Sequence, residues 1–515
     1  MAALEALTEP WPAGGLGRYD RQTGLARRPM ASQPAPYGQS LTLLTDLYQL
    51  TMAYGYWKTG MASREAVFHL FFREHPFGGG YTIACGLEPA LRFIENFRFD
   101  ESDQGYLASL EGNDGKPLFD PAFLKDLAKL RLECDIDAIP EGTVVFPHEP
   151  LLRVRGRLLD CQLLETPLLN LINFQTLIAT KAARVTQAAG DDPVLEFGLR
   201  RAQGIDGGIA ASRAAFVGGC AATSNLLAGK LYGIPVKGTH AHSWVMSFET
   251  EAEAFRAYAE AMPNNCVFLV DTYDTIEGVR EAIRAGTVLR EAGHEMVGIR
   301  LDSGDLAGFS REARRLLDDA GFPDAAIVAS NDLDEYAIAE LKRRGAAIGV
   351  WGVGTRLATA HGQSALGGVY KLSAIRDASG KWRYKIKISS EVGKSSNPGI
   401  LQVRRFSHAG EFSGDVIYNE AEPPVGDWVV ASMETGATAV MLPAPASGED
   451  LLRPALRGGE LVAESPPLPE LRRRAKEQLS HFPESVRRLR EPRGYPFGLE
   501  QGLYRLRERM LTKRG

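Results

Sequence analysis

Between residues 193 and 358 the chain repeats one pattern: a short apolar run, a polar tip, then a helix. The runs are VLEFGLRR, IPVKGTHAHSW, CVFLVDTYDT, MVGIRLDSGD, AAIVASNDLDE and IGVWGVGTR. IEGVREAIRAGTVLREAGH follows the third run, AGFSREARRLLDDAG the fourth and EYAIAELKRRGA the fifth, each with apolar residues at helical spacing. Asp271, Arg300 and Ser330 mark successive units at intervals of 29 and 30 residues, the length of one strand-turn-helix element. Strands apolar on both faces are buried by packing side by side as a parallel sheet under helices, and repeated units of this length predict an irregular βα barrel.

In such a fold the loops after the strands open on one face, which carries the site. The polar tips Asp271, Asp274, Arg300, Asp302, Ser303, Asp305, Ser330, Asn331, Gly352, Gly354 and Thr355 should converge there. The plainer reading is that Asp, Ser and Asn cap the next helix. Caps require neither Arg300 nor the two glycines of GVG.

The rest of the chain is less regular. We expect a disordered extension over 1–40, an α+β domain over 41–160, the βα barrel over 161–375 and a mixed C-terminal domain over 376–515 packing on the first. Thr45 can cap a helix carrying Leu47, Leu50 and Tyr54, and Ala66 to Phe72 and residues 143–156 read as strands. A chain of 515 residues implies two or three domains. The net charge of −5 argues against a general nucleic-acid binder, while leaving room for a local Arg cluster. No apolar run nears the roughly 18 residues of a membrane span, and the first 40 residues lack the apolar stretch of a signal peptide. The five cysteines are widely spaced and form no CxxC or Cys/His ligand pattern, so zinc sites and disulfide frameworks are not expected. A cytoplasmic protein fits best.

Three motifs bear chemistry. GVGTRLA at 352–358 places glycines and a hydroxyl between a strand and a helix start, where backbone N–H groups can cradle a phosphate. EFGLRRAQGIDGG at 196–208 pairs Phe197, able to stack on a planar ring, with Arg200, able to grip a phosphate; a core Phe beside surface Args is the alternative. GTHAHSW at 238–244 holds His240 and His242, which share a face if the segment is a strand. A metal pair, a phospho-accepting histidine and a structural histidine all stay open on that pattern.

From about Leu41 onward the chain resembles nicotinate phosphoribosyltransferases, through TDLYQLTMAYGYW, EFGLRRAQGIDGG, TSNLLAGKLYGIPVKGTHAHSW, DTYDT, RLDSGDL, SNDLDE, GVGT and LGGVYKL in that order. The resemblance is to the type II phosphoribosyltransferase fold. It implies that nicotinate and phosphoribosyl pyrophosphate (PRPP) react to nicotinate mononucleotide and pyrophosphate in NAD salvage, coupled to ATP hydrolysis by a phosphohistidine at His242. It also implies that Tyr48 and Phe197 sandwich the pyridine, and that Thr239 and Arg300 meet its carboxylate or ring. Arg200, Ser330, Asn331, Gly352, Gly354 and Thr355 would lie around PRPP and its phosphates, with Asp271 and Asp302 facing the ribose and Mg²⁺, Asp302 as a metal ligand. A homodimer is implied as well. Lys371, Lys387 and Lys394 receive no role.

The nearest alternative is a nicotinamide phosphoribosyltransferase, in which an Asp accepts the amide N–H at the segment matching Thr223-Ser224-Asn225. That segment holds no carboxylate here. A carboxylate about 4 Å from the nicotinate carboxylate would cost roughly 4 kcal/mol at an effective dielectric of about 20, so its absence favours the acid. Quinolinate as substrate would call for more basic residues, and a silent PRPP- or nucleotide-binding regulator has no need of His242.

Overall fold

The computed structural model describes residues 40–389, 395–426, 428–433, 439–442, 447–462 and 464–512, with backbone alone at 439–442 and 447. The expected extension, apart from Ser40, and Lys394 lie outside them. The chain forms two units, one of residues 181–364 and one of residues 34–180 with 365–515.

The discontinuous unit begins with helix Leu47–Lys58. Its cap position falls to Asp46 rather than the expected Thr45, and the Asp46 carboxylate accepts instead from Thr166 Oγ1 at 2.8 Å. Strands β1 (Glu65–Phe71), β2 (Thr82–Ile83), β3 (Asp135–Ala138), β4 (Val144–Val145) and β5 (Leu152–Arg157) follow, interleaved with helices. This is the expected α+β pattern.

The unit of residues 181–364 holds the repeat. Its strands are β6 (Val194–Glu196), β7 (Ala222–Thr223), β8 (Val267–Leu269), β9 (Gly298–Leu301), β10 (Ala326–Ala329) and β11 (Val350–Val353). All are parallel and pair in the order β7-β6-β11-β10-β9-β8. Five of the six expected runs supply these strands. The run IPVKGTHAHSW makes only a bridge, Val236 to Thr223, and its partner segment Ala222–Thr223 takes the edge instead. Among the described residues no pairing joins β7 to β8, so the hydrogen-bonded strands make an open parallel sheet and closure into a barrel is not seen.

The helices of this unit follow their apolar spacing. Helix Leu306–Asp319 buries Leu306, Ala307, Ser310, Ala313 and Leu317, one stripe against β9 and β10. Asp274 caps helix Thr275–Glu291 through the N–H groups of Ile276 and Glu277, and Asp334 caps helix Glu335–Arg343 through those of Tyr336 and Ala337. Capping is therefore the observed role of Asp274. A buried cluster of Leu195, Ala222, Val267, Val328 and Val350, with Phe197 packed on it, fixes the sheet on one face.

The second half of the discontinuous unit adds β12 (Val369–Arg376), β13 (Trp382–Tyr384), β14 (Leu401–His408), β15 (Glu411–Asn419), β16 (Trp428–Ala431), β17 (Ala439–Leu442), β18 (Ser447–Asp450), β19 (Arg453–Arg457), β20 (Glu460–Leu461) and β21 (Phe497–Glu500). One sheet runs β13-β12-β1-β5-β3-β19-β20, so the chain's two ends share a sheet; a second runs β17-β16-β21-β15-β14-β18. The Arg- and Leu-rich C-terminal sequence forms helices Leu468–Ser480 and Gln501–Thr512.

Candidate active site

Because β6 to β11 are parallel, their C-terminal ends lie on one side of the sheet, and the polar tips meet there. Arg300, on β9, is the hub. Its Nε donates to Ser330 Oγ at 2.7 Å, Nη1 to Thr239 Oγ1 at 2.9 Å, and Nη2 to Asp302 Oδ1 at 3.0 Å. Ser330 Oγ in turn donates to Asp302 Oδ1. The guanidinium carbon lies 5.9 Å from the centre of the Phe197 ring. Arg300, Ser330, Thr239, Asp302 and Phe197, drawn from four separate segments, thus form one constellation.

Phe197 reaches this place because Gly352 has no side chain: a Cβ there would sit 2.8 Å from two ring carbons. Gly198 answers to the same geometry, since its Cβ would lie 2.3 Å from that of Ala358 in the short helix Thr355–Ala358. EFG and GVGT are therefore mutually packed. Asn331 takes a left-handed backbone (φ 98°), a conformation Asn tolerates better than most residues, and is exposed beside Ser330. Thr355 is exposed at the start of its helix.

The acids form a second tier. Asp271 Oδ2 accepts from the Asp302 N–H at 2.8 Å and from Ser303 Oγ at 2.7 Å, while Asp271 Oδ1 is buried with no hydrogen-bond partner among the described residues. Burial opposes the charge of Asp302, but the Ser330 hydrogen bond and Arg300 together hold its carboxyl below the ordinary range. Asp302 Oδ2 faces His242 Nε2 at 3.7 Å, and His242 Nδ1 is 3.1 Å from Thr272 Oγ1. An orphaned carboxylate oxygen beside a second carboxylate suits a hard cation such as Mg²⁺, which commonly takes one or two carboxylates and completes its shell with water and substrate phosphates. Among the described residues no group of three His, Cys, Asp or Glu is arranged to hold a metal ion by itself.

The two histidines differ. Residues 237–241 are not a strand and His242 opens helix His242–Met246, so the shared face expected from their spacing does not form. His242 is about 40% exposed, whereas His240 is buried and pulled down to about 4 by that burial.

Not every expected residue joins the constellation. Arg200, in the turn Leu199–Arg201, is exposed and has no ion-pair partner among the described residues. Tyr48, about 46% exposed, belongs to the other unit. Asn225 is buried and caps helix Leu226–Tyr232: its Oδ1 accepts from the Ala228 N–H, and its Nδ2 donates to Ser212 Oγ at 3.2 Å. Of the segment expected to read the pyridine's substituent, Ser224 is the partly exposed member.

Three contributors escaped the sequence reading. Glu196 is buried and accepts from Ser212 Oγ at 2.9 Å, Thr223 Oγ1 at 2.6 Å and the Gly198 N–H, tying three elements together beside Phe197. Thr272 holds His242. Glu251, at the start of helix Glu251–Ala261, has one buried oxygen without a partner among the described residues; burial, then Glu281, Asp271 and Asp274, push it up to about 7. Glu196 stood in the EFGLRRAQGIDGG motif and Thr272 in DTYDT, each without a role; nothing marked Glu251, whose role comes from what folds around it. No helix among the described residues is long and apolar enough to cross a membrane.

Comparison with known proteins gives this constellation its context. Residues 43–173 match the nicotinate phosphoribosyltransferase (NAPRTase) N-terminal domain, and residues 402–507 match the nicotinate phosphoribosyltransferase C-terminal domain. The nicotinate phosphoribosyltransferase of Bacillus subtilis (strain 168) is 43% identical over 471 residues, covering 90% of this chain and 93% of its own length. That of Homo sapiens is 37% identical, covering 93% and 98%. The crystal structure of human nicotinic acid phosphoribosyltransferase aligns with a TM-score of 0.79 at 35% identity, over 90% of this chain and 99% of that one. A nicotinate-nucleotide pyrophosphorylase from Pyrococcus furiosus, 22% identical with a TM-score of 0.64 over 86% and 96%, shares the fold. With identity of this level sustained over nine-tenths of its length, the chain is an enzyme of the nicotinate phosphoribosyltransferase family.

Proposed function

We propose that the 181–364 unit joins nicotinate to PRPP, giving nicotinate mononucleotide and pyrophosphate, and that ATP drives the reaction through a phosphohistidine at His242. The observation that carries the reading is Arg300, its guanidinium carbon 5.9 Å from the Phe197 ring centre and held by hydroxyls that a substrate carboxylate can replace. Phe197 supplies an aromatic face for the pyridine, and Arg300 with Thr239 a cationic, hydrogen-bonding edge for its carboxylate.

The pyridine nitrogen attacks C1′ of the ribose as the bond from C1′ to the pyrophosphate oxygen breaks. Positive charge builds on the sugar, and Asp271 and Asp302 stabilise it as fixed negative charges on the same side of the sheet. The same two carboxylates would hold Mg²⁺, which neutralises the pyrophosphate when bound. Ser330, Asn331, Gly352, Gly354 and Thr355 offer hydroxyl and amide donors for PRPP and its phosphates, and Arg200 a cation with no competing partner among the described residues.

In the ATP half-reaction His242 attacks the γ-phosphorus, the bond to the β,γ-bridging oxygen breaks and ADP leaves. The Thr272 contact occupies Nδ1 and leaves Nε2 directed at the acid tier, which supports Nε2 as the nucleophile. A phosphoryl group there brings further negative charge beside Asp302 and so changes the affinity of the site for cation and PRPP, which is how hydrolysis can be linked to synthesis. The homodimer and the cytoplasmic setting belong to the same proposal.

The test is direct: purified protein with labelled nicotinate or nicotinamide, PRPP and Mg²⁺, with and without ATP. Nicotinate should be converted, faster with ATP, and nicotinamide poorly. Preferential use of nicotinamide, or no product from either, would overturn the reading.

A further inference from the structure

His240 has no role in the chemistry above, yet it is more deeply buried than His242 and more tightly held. Its Nε2 accepts the Leu269 N–H at 3.2 Å, and a ring nitrogen that accepts a backbone N–H carries no proton. The proton is therefore on Nδ1, which lies 3.4 Å from the Ala241 carbonyl oxygen. The ring packs edge-on against Tyr258, with centroids 4.7 Å apart. Its own carbonyl oxygen accepts from Arg300 Nη1 at 3.5 Å and from Thr239 Oγ1 at 3.1 Å.

Leu269 ends β8, and two and three residues later come Asp271 and Thr272. His240 thus joins the two segments whose meeting produces the His242–Thr272 contact. Residues 237–241 have no regular secondary structure to hold them otherwise. We propose that His240 is a positioning residue, a neutral imidazole that clamps the 238–242 loop to the end of β8 and so presents Thr239 to Arg300 and His242 to Thr272 and Asp302. The role of the presented His242 rests on the phosphohistidine reading; the clamp itself does not.

Two variants separate the clamp from simple packing. His240→Phe keeps an aromatic ring against Tyr258 but removes the acceptor, leaving the Leu269 N–H buried and unpaired. His240→Gln places an amide oxygen near the position of Nε2. The readout is the ratio of synthesis rates with and without ATP, because a partly unfolded sample lowers both rates and leaves the ratio unchanged. The Phe variant should lose about fivefold or more of that ratio, and the Gln variant should recover to within about twofold of the parent. A crystal structure of the Phe variant should show His242 withdrawn from Thr272. A parental ratio in the Phe variant, or a Gln variant as impaired as Phe, would overturn the clamp. If the parent shows no ATP stimulation, the phosphohistidine reading fails alone and the crystal structure decides the clamp: His242 still on Thr272 refutes it, His242 displaced supports it.

Discussion

Arg405 and Arg300 lie in different units, each paired with an aspartate, and the pairs are built differently. Arg405 grips Asp415 with Nε at 2.9 Å and Nη2 at 2.5 Å, and gives Nη1 to Gln478 and Nη2 also to the Val144 carbonyl. Both side chains are fully buried, and Tyr495 donates a further bond to Asp415 at 3.0 Å. Arg300 meets Asp302 through one nitrogen, gives the others to the hydroxyls of Thr239 and Ser330, and both partners stay partly open. A dry bidentate pair has no atom to offer a ligand. A pair held through hydroxyls can exchange them for a substrate's oxygens at small cost. The first arrangement specifies structure, and the second suits the substrate carboxylate proposed for it.

Breaking each pair should show the difference. Arg405→Met leaves Asp415 buried without its cation and should cost about 3–5 kcal/mol in urea unfolding. A loss under about 1 kcal/mol would mean the pair is not the lock described. Arg300→Lys should leave the melting temperature within a few degrees but lower kcat/KM for nicotinate by about a hundredfold, because an ammonium cannot serve three partners in one plane. A variant that fails by unfolding instead would erase the contrast between the regions.

The specificity argument sharpens in the same way. Asn225 is a buried cap, so Asn225→Asp would remove its donation to Ser212, which already serves Glu196, and would report on stability. Ser224→Asp is the informative change. It should lower kcat/KM for nicotinate against nicotinamide by about tenfold, a like-charge effect reduced by solvent at a partly exposed position. An unchanged ratio would place the pyridine elsewhere.

The smallest expected effect lies beside the lock. Burial, and then the neighbouring Asp415, raise Glu149 well above the usual carboxylate range. A raised folded pKa contributes stability that is complete below the unfolded value of about 4.3 and is lost as pH climbs toward the folded value. Glu149→Gln mimics the neutral form, so its melting temperature should lie closest to the parent's below pH 4 and exceed it increasingly toward pH 8. A variant less stable than the parent at pH 8 would contradict this.

The sequence made some of this visible for physical reasons. Apolar runs at a spacing of about 30 residues leave few options but parallel βα units, and the tips Arg300, Asp302 and Ser330 follow from that. Strand closure depends on pairing between β7 and β8, which leaves no local signal, and IPVKGTHAHSW looked like a strand because its apolar residues do not reveal that only Val236 pairs. Asn225 as a cap and Asn225 as a ligand reader share one sequence, and only the path of helix Leu226–Tyr232 separates them. His240 and His242 could not be told apart by spacing, because their difference is set by Leu269 and Thr272, some 30 residues away.

The central claim is that His242, among these polar tips, carries the phosphoryl group that couples ATP to synthesis. The direct measurement is acid-labile, alkali-stable phosphate incorporated from γ-labelled ATP into the parent, His242→Ala and His240→Gln, alongside the rate of nicotinate mononucleotide formation. The account predicts label in the parent and in His240→Gln, none in His242→Ala, and in that variant a slower synthesis indifferent to ATP. Label retained in His242→Ala, or synthesis in that variant still accelerated by ATP, would contradict it.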